Sequence, residues 1–280
     1  MQLIALAGQN RVQAHVAAKR LLYVCPECYS PLRVRSGPHR QPHFYHLSKN
    51  SLCNQSGKSL HHLNTQLAII KQLPFGEAEI EVSFPALGRI ADVVWWPKKI
   101  LFEVQCSPIS LEEITKRTFD YESIGWTVVW ILHEKRYNRR FLSAAEAFLI
   151  ERDVYYTSYD EQGAGKIYDQ FSLIQGDRRL FQGVKLPISL VSPYFPKDLA
   201  LNAEWPSTVR KTFFSKRLGF QGDLIDRICQ SSGGDWQPMK QLEANYLKSL
   251  VRARPIKDAL LWLKNVYLSL LHALLEIHSV

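Results

Sequence analysis

Two acidic side chains, Asp92 and Glu103, lie in segments that are otherwise apolar and strand-like, RIADVVW and FEVQCS. Residues two apart in a strand share a face, so Glu103, Gln105 and Ser107 should point the same way. Carboxylates that face one cleft from adjacent strands repel each other unless a cation binds between them, and oxygen ligands suit Mg²⁺ or Mn²⁺. The pattern therefore predicts a catalytic metal site held by Asp92 and Glu103, where the metal activates water against a phosphodiester.

Acidic residues on an exposed sheet face are more often simply solvated. Glu77, Glu79 and Glu81 alternate along the preceding segment and fit that simpler interpretation, although Glu79 or Glu81 could give the metal a third oxygen. Asp92 and Glu103 differ because their own segments are strongly apolar, and a lone buried carboxylate is costly. We therefore expect these two to be the metal ligands.

Basic and aromatic residues near the acids are candidates for contact with a phosphate. Arg117 and Tyr121 are four residues apart and share one helix face, so they are either phosphate-positioning residues or an ordinary surface pair. Lys116 is a weaker candidate for contact with DNA. His61 and His62, in the segment SLHH, are either structural or in contact with the metal site or DNA.

A second set of residues has the types and spacing of a zinc site. Cys25 and Cys28 form a CPEC knuckle, in which a tight turn brings both sulfurs to one ion, and His43, His46 and Cys53 follow. Four ligands are needed and five are present, so we expect Cys25, Cys28, His46 and either His43 or Cys53. The alternative is a redox pair, but no thioredoxin-like unit surrounds the knuckle. Such a closed shell is structural and helps a small segment to fold.

The charge of the chain favours a polyanionic partner. The net charge is +9 and the isoelectric point about 9.3. Against a single acid, Glu27, residues 1–58 carry these basic residues: Arg11, Lys19, Arg20, Arg33, Arg35, Arg40, Lys49 and Lys58. We expect Arg33, Arg35 and Arg40 to contact the DNA backbone; the alternative is a solvated basic face.

The predicted secondary structure places the acids at the centre of an α/β sandwich. A helix begins at Ser59 and ends before Pro74, strands follow at 77–84, 89–96 and 100–107, and a capping box at 110–113 starts a helix that ends at Gly125. An apolar strand at 126–132 completes the order helix, three strands, helix, strand. Because a helix connects them, the last strand should run parallel to the third.

The rest of the chain gives weaker signals. We expect a helix at 143–150, short strands within 154–186, and helices at 207–218, 224–229 and 259–277. The predicted domains are therefore a zinc module at 1–57, the core at 58–150, a strand-rich extension at 151–191 and a helical region at 192–280. The start MQLIALAGQN lacks the features of a signal peptide, and the apolar stretch 259–275 contains Lys264 and His272. We expect a cytoplasmic protein that does not enter a membrane.

Taken together and in order, the motifs resemble the competence protein CoiA family of bacteria. The matching motifs span roughly residues 15–135 and read CPEC…PHFYH, SLHH, RIADVVW, FEVQCSPIS, KRTFDY and WTVVWIL. Members of that family look like PD-(D/E)xK nucleases with an N-terminal zinc-ribbon-like module, and they are linked to natural transformation. The resemblance therefore implies a restriction-endonuclease-like αβββαβ core, a zinc-ribbon-like module and a helical C-terminal region.

The resemblance also implies roles for individual residues. Asp92 and Glu103 become the metal-binding acids, and Arg117 and Tyr121 match the helix motif that follows the acids in related nucleases. Gln105 stands where the wider superfamily usually has lysine, and CoiA-like sequences share this glutamine. A neutral amide cannot supply a positive charge to the transition state. We expect Gln105 to orient the attacking water or a phosphate oxygen.

The function predicted from the sequence is metal-dependent hydrolysis of incoming or recombining DNA. Zinc would be structural and Mg²⁺ or Mn²⁺ catalytic. The partners would be single- or double-stranded DNA and, further, recombination proteins. Two alternatives remain: an inactive DNA-binding adaptor that keeps the fold, and a scaffold that recruits recombination factors. The sequence leaves the oligomeric state and the cutting mode open.

Overall fold

The computed structural model describes residues 1–48, 53–195 and 218–230, with single helical positions at 244 and 248. The chain divides into two compact units, Met1–Ala200 with Lys211–Ser232, and Leu201–Arg210 with Gly233–Val280. The helices predicted at 207–218, apart from Leu218, and at 259–277 lie outside the described residues. No helix among the described residues has the length and apolar character needed to cross a membrane.

A small antiparallel sheet forms the N-terminal part of the first unit. Its strands are β1 Ile4–Ala7, β2 Asn10–Gln13, β3 Tyr23–Val24, β4 Pro31–Gly37 and β5 Arg40–His46, in the order β2-β1-β3-β4-β5. Along β4 the apolar residues Leu32 and Val34 are buried, and the alternate residues Arg33 and Arg35 are exposed. The core of this sheet is small and includes Cys25 and Cys53, so a bound ion would add stability that the apolar contacts alone lack.

The central part has the element order predicted from the sequence. Its elements are α1 Leu60–Gln72, β6 Ala78–Phe84, β7 Arg89–Trp95, β8 Ile100–Gln105, α2 Leu111–Ser123 and β9 Thr127–His133. Ser59 caps α1 by accepting from the amide of His62, and Ser110 caps α2 by accepting from the amide of Glu113. As predicted, β9 runs parallel to β8.

The following residues extend the same sheet to seven strands. Its order is β14-β11-β10-β9-β8-β7-β6. The added elements are α3 Ala144–Ile150, β10 Val154–Thr157, β11 Ile167–Asp169 and β14 Leu186–Pro187, and a separate hairpin comprises β12 Ser172–Gln175 and β13 Arg178–Gln182. Because β8 and β9 lie at the centre, their residues are buried on both faces.

Helices and loops cover both faces of the large sheet. On one face α1 packs Ile69 and Leu73 over Val93, Phe102 and the residues around them. On the other face α2 and α3 pack Ile114, Tyr121 and Leu149 over Leu101 and Trp130. The result is a mixed α/β sandwich in which β7 and β8, which carry the two acids, are shielded on each side.

The prediction that the chain is helical from residue 192 onward is wrong for two segments. β15 Ser189–Tyr194 pairs with β16 Gly219–Gln221, and this pairing buries Leu190 and Phe220 against the sheet core. A contact between distant segments overrides the local pattern here. The helix predicted at 224–229 is confirmed as α4 Leu224–Gln230.

Candidate functional site

Four side chains of the N-terminal part form a cluster that could hold a structural metal ion such as zinc. The ligand atoms of Cys25, Cys28, His46 and Cys53 all lie within 4.8 Å of one another. The Sγ atoms of Cys25 and Cys53 are 3.7 Å apart, and Cys28 Sγ is 3.3 Å from His46 Nε2. Two thiolates on one tetrahedral ion, with bonds of about 2.3 Å, span a similar distance, so the donor set fits the metal.

The geometry selects Cys53 rather than His43 as the fourth ligand. His43 and His46 are three residues apart in β5, so their side chains leave opposite faces of the strand. His43 Nδ1 is 2.9 Å from the carbonyl oxygen of Gln41, and burial lowers the pKa of His43. Among the described residues, His43 is not part of the metal-ligand group.

The surroundings of the cluster favour thiolate at one cysteine. Burial opposes ionisation of Cys28, but hydrogen bonds from Ser30 and His46 lower its pKa to about 6. Burial raises the pKa of Cys53, which donates to Glu27 Oε2 at 3.2 Å. The same Glu27 oxygen accepts from the amide of Gln55 at 3.1 Å. Glu27 therefore joins the knuckle to the residues that follow Cys53.

Asp92 and Glu103 lie on adjacent strands of the large sheet, β7 and β8. β7 and β8 are antiparallel, with Val93 paired to Phe102 and Val94 to Leu101. The pairing of the two strands ends at Val93 and Phe102. Asp92 contacts His62 and Gln66 of α1, whereas Glu103 contacts Arg117 of α2, and these two helices cover opposite faces of the sheet. Both carboxyl groups are buried. The sequence-based prediction that the two acids face the same side therefore stays a prediction, and their hydrogen bonds to different helices do not support it.

The carboxylate of Asp92 is fully engaged by neighbouring donors. Oδ1 accepts from Lys58 Nζ at 2.8 Å, His62 Nε2 at 3.0 Å and Gln66 Nε2 at 2.8 Å. Oδ2 accepts from the amide of Val104 at 2.8 Å. Burial alone would raise the pKa of Asp92, but His62 and Lys58 outweigh it and hold the pKa well below its usual value. Asp92 is therefore ionised, and its charge is already neutralised within the protein.

Glu103 is less completely satisfied. Its Oε2 accepts from Arg117 at 3.1 Å, whereas Oε1 is buried and has no hydrogen-bond partner among the described residues. Burial, together with the charge of Asp92, raises the pKa of Glu103 to about 7, although Arg117 opposes this shift. A buried acceptor without a hydrogen-bond partner, close enough to Asp92 for their charges to interact, fits a ligand of a divalent cation, because such an ion would remove both penalties.

Of Arg117 and Tyr121, the predicted phosphate-positioning residues on α2, only Arg117 lies in the wall of the cavity described below. It donates to Glu103 and, at 3.0 Å, to Glu113. Tyr121 is fully buried, and its hydroxyl lies near the carboxyl group of Glu103. Burial and the adjacent Glu103 raise the pKa of Tyr121. Tyr121 is thus a core neighbour of Glu103 and not a surface residue.

The predicted strand at 100–107 ends earlier than expected, which changes the surroundings of Gln105. β8 stops at Gln105, and the Gln105 amide donates to Ser107 at the carbonyl oxygen (2.8 Å) and the hydroxyl (3.1 Å). The Tyr137 hydroxyl donates to the same carbonyl at 2.6 Å. Ser107 therefore does not continue the strand face, and the amide of Gln105 holds the loop after β8.

A cavity of about 790 Å³ opens beside Asp92, and its wall contains both basic residues and the acids Glu27, Asp92, Glu113 and Asp120. Cationic or imidazole groups in the wall are Lys58, His61, His62, Arg89, Lys116, Arg117, His133 and Lys135. Lys116, predicted to contact DNA, is among them. Arg33, Arg35 and Arg40 are exposed on the N-terminal sheet and are not part of this wall.

Sequence reasoning missed the role of Lys58 and considered Glu81 only as a possible third oxygen ligand of the metal. Lys58 Nζ lies 3.0 Å from Glu81 Oε1 as well as 2.8 Å from Asp92, and these side chains are almost fully buried. Glu81 Oε2 accepts from the amides of Leu3 and Ile4, at 3.0 and 2.9 Å. In the sequence Glu81 looks like the solvated acids around it, and Lys58 is one basic residue among many.

Family models match two stretches of the chain. A model described as competence protein CoiA, nuclease-like domain, matches residues 58–164, and one described as competence protein CoiA, N-terminal domain, matches residues 6–56. No curated protein and no solved structure matches the chain. The two matches confirm the resemblance drawn from the motifs, and both candidate sites lie within the matched residues.

Loss of a metal ligand should remove the ion and destabilise the N-terminal sheet, because its apolar core is small. We expect His46→Ala to lose bound zinc and to unfold at a lower temperature. His43→Ala is the matched control and should retain about one zinc ion per chain. Elemental mass spectrometry gives the zinc content, and circular dichroism gives the unfolding temperature. Equal zinc content in the two variants would contradict this ligand set.

The contacts of Glu81 predict a large effect on stability. Glu81→Gln leaves Lys58 with one carboxylate and weakens two hydrogen bonds to the amides of Leu3 and Ile4. We expect a loss of about 3 kcal/mol in the free energy of unfolding. Glu79→Gln is the control, since Glu79 is half exposed and its loss should change stability by less than about 1 kcal/mol. Urea unfolding measures both, and similar values for the two variants would argue against this assignment.

Proposed function

Because the chain belongs to the competence protein CoiA family, we propose that it is a divalent-metal-dependent nuclease that hydrolyses DNA phosphodiesters during competence. The matching family models describe a nuclease-like domain and a competence protein, and both descriptions support the proposal. The observation that carries the proposal further is the buried carboxylate of Asp92 in the wall of a cavity that lysine and arginine residues also line, with the buried Glu103 on the neighbouring strand. Carboxylates recruit a metal, and lysine and arginine side chains attract the phosphate backbone.

The donor atoms suit Mg²⁺ or Mn²⁺ better than a softer ion. Asp92 and Glu103 supply oxygen, and the unpartnered Oε1 of Glu103 supplies a free acceptor. A bound Mg²⁺ or Mn²⁺ would polarise the phosphodiester and lower the pKa of a water molecule. The Cys25, Cys28, His46 and Cys53 cluster offers sulfur and nitrogen and suits zinc, which would be structural there.

The other residues of the site hold the acids and the substrate. Arg117 fixes Glu103 and leaves part of its guanidinium in the cavity wall, where it can contact a phosphate. Lys116 adds charge to the same wall. Gln105 also lies in the wall, and we assign it the orientation of the attacking water or a phosphate oxygen. Arg33, Arg35 and Arg40 would contact the backbone of DNA beyond the cavity.

A second candidate function is an inactive DNA-binding adaptor with the same fold. The observation that favours it is the saturation of Asp92, since both its oxygens already accept from Lys58, His62, Gln66 and Val104. In an adaptor the ammonium of Lys58 would permanently replace the metal. The two functions differ in whether the protein binds Mn²⁺ through Asp92 and Glu103.

Neutralising Glu103 without changing its shape tests the catalytic proposal. We expect Glu103→Gln to reduce Mn²⁺-dependent cleavage of single- or double-stranded DNA by at least about 100-fold, because a metal oxygen and a charge are lost. Asp92→Asn should behave alike, although it also leaves Lys58 poorly paired. The control is Glu112→Gln, an exposed acid on the same helix as Arg117. Undiminished cleavage by Glu103→Gln would disprove the site assignment.

The raised pKa of Glu103 predicts a pH-dependent affinity for metal. Below about pH 7 the carboxyl is protonated in the metal-free protein, so a metal must displace a proton and its affinity should fall about tenfold per pH unit. Above that pH the affinity should level off. Calorimetry with Mn²⁺ in buffers of different ionisation enthalpy measures affinity and proton release. Glu103→Gln should remove the dependence, and a flat wild-type profile between about pH 5.5 and 8 would contradict it.

A further inference from the structure

Lys58 has the position of an active-site residue. It directly precedes Ser59, the cap of α1, and its Nζ lies 2.8 Å from Asp92 Oδ1 and 3.0 Å from Glu81 Oε1. The side chain is only 7% exposed, yet the residue forms part of the cavity wall. The ammonium is therefore fixed in position, in a residue that borders the space a ligand would fill.

The carboxylate of Glu81 also holds the ammonium of Lys58 in position. Glu81 has φ +52°, a left-handed conformation that is unfavourable for a residue with a side chain, in the middle of β6. Its neighbours Ile80 and Val82 keep their normal pairing with β7. The strained residue directs its carboxylate inward, where it accepts from Lys58 and from the amides of Leu3 and Ile4. The contacts of Glu81 thus offset the strain and fix the ammonium.

The ammonium has one donor to spare. A lysine ammonium carries three N–H groups, and among the described residues Lys58 Nζ has two partners, Asp92 and Glu81. The Arg117 guanidinium is shared between Glu103 and Glu113. The amide of Gln105 donates to Ser107 and carries no charge. Lys58 is therefore the cation that combines direct contact with Asp92 and a free N–H group.

We propose that Lys58 is a catalytic residue that contacts a non-bridging oxygen of the scissile phosphate, a step that rests on the proposed function. In hydrolysis the water oxygen bonds to phosphorus, one P–O ester bond breaks, and the leaving oxygen ends with a proton from water. Lys58 keeps its own proton and stabilises the negative charge that builds on the phosphoryl oxygens. The positive charge at the site is then supplied by the residue before the cap of α1, and not by a lysine on β8.

The alternative is that Lys58 only neutralises two buried carboxylates. The two roles separate in a comparison of cleavage with metal affinity. Lys58→Met should lower cleavage at saturating Mn²⁺ by at least about 100-fold, and it should bind Mn²⁺ as tightly as wild type or more tightly, because a positive charge beside Asp92 is removed. Lys71→Met, at an exposed lysine of the same helix, is the control and should match wild type in both measurements.

A lysine introduced at residue 105 of β8 tests whether a positive charge from another element can replace that of Lys58. Residue 105 is two residues from Glu103 on β8 and lies in the same cavity wall. Gln105→Lys in the Lys58→Met background should therefore recover at least about tenfold in cleavage. A purely structural role predicts no recovery, together with parallel losses of Mn²⁺ affinity and cleavage in Lys58→Met, and that result would overturn the proposal.

If Lys58→Met does not fold, Lys58→Arg tests the catalytic role of residue 58 instead, because it keeps the buried positive charge. It should fold, bind Mn²⁺ within about threefold of wild type and cleave at least about tenfold more slowly, since a guanidinium places its donors differently. Wild-type cleavage by Lys58→Arg, or by a folded Lys58→Met, would overturn the assignment of Lys58 alone. A wild-type protein that cuts no DNA with Mn²⁺ would overturn the nuclease proposal and this one with it.

Discussion

The buried ion cluster of Asp92, Lys58 and Glu81 is the interaction on which the rest of the structure depends. Two carboxylates that lose contact with water require a cation, and Lys58 lies between them at 2.8 and 3.0 Å. The remaining oxygen of Glu81 accepts from the amides of Leu3 and Ile4. One cluster therefore joins the N-terminal sheet, the segment before α1 and the two strands β6 and β7.

This connection means that the metal cluster and the carboxylate site are not independent. Cys53 is followed by a single turn of 3₁₀ helix, Asn54–Gly57, and then directly by Lys58. Glu27, between the knuckle cysteines, accepts from Cys53 and Gln55 and also forms part of the cavity wall. A structural ion that fixes Cys53 therefore also limits where the ammonium of Lys58 can lie.

The sequence was sufficient for what local chemistry determines. Helical spacing marked α1, a capping box marked α2, and apolar strand-like patterns marked β7, β8 and β9. The sequence was insufficient where contacts between residues far apart in the chain determine the structure. The burial of Glu81 depends on a positive φ and on amides 77 and 78 residues away, and the strands β15 and β16 exist through their mutual pairing. Neither leaves a periodic signal.

The two acids differ in their protonation and in their hydrogen-bond partners. Under the proposed function, this difference links metal binding to substrate binding. Asp92 is ionised and compensated by Lys58, whereas Glu103 keeps a proton up to about pH 7 and has an unpartnered oxygen. A divalent ion near Asp92 is repelled by Lys58, and a phosphate that contacts Lys58 removes much of that repulsion. Each ligand then lowers the cost of binding the other, so metal and DNA should bind more tightly together than separately.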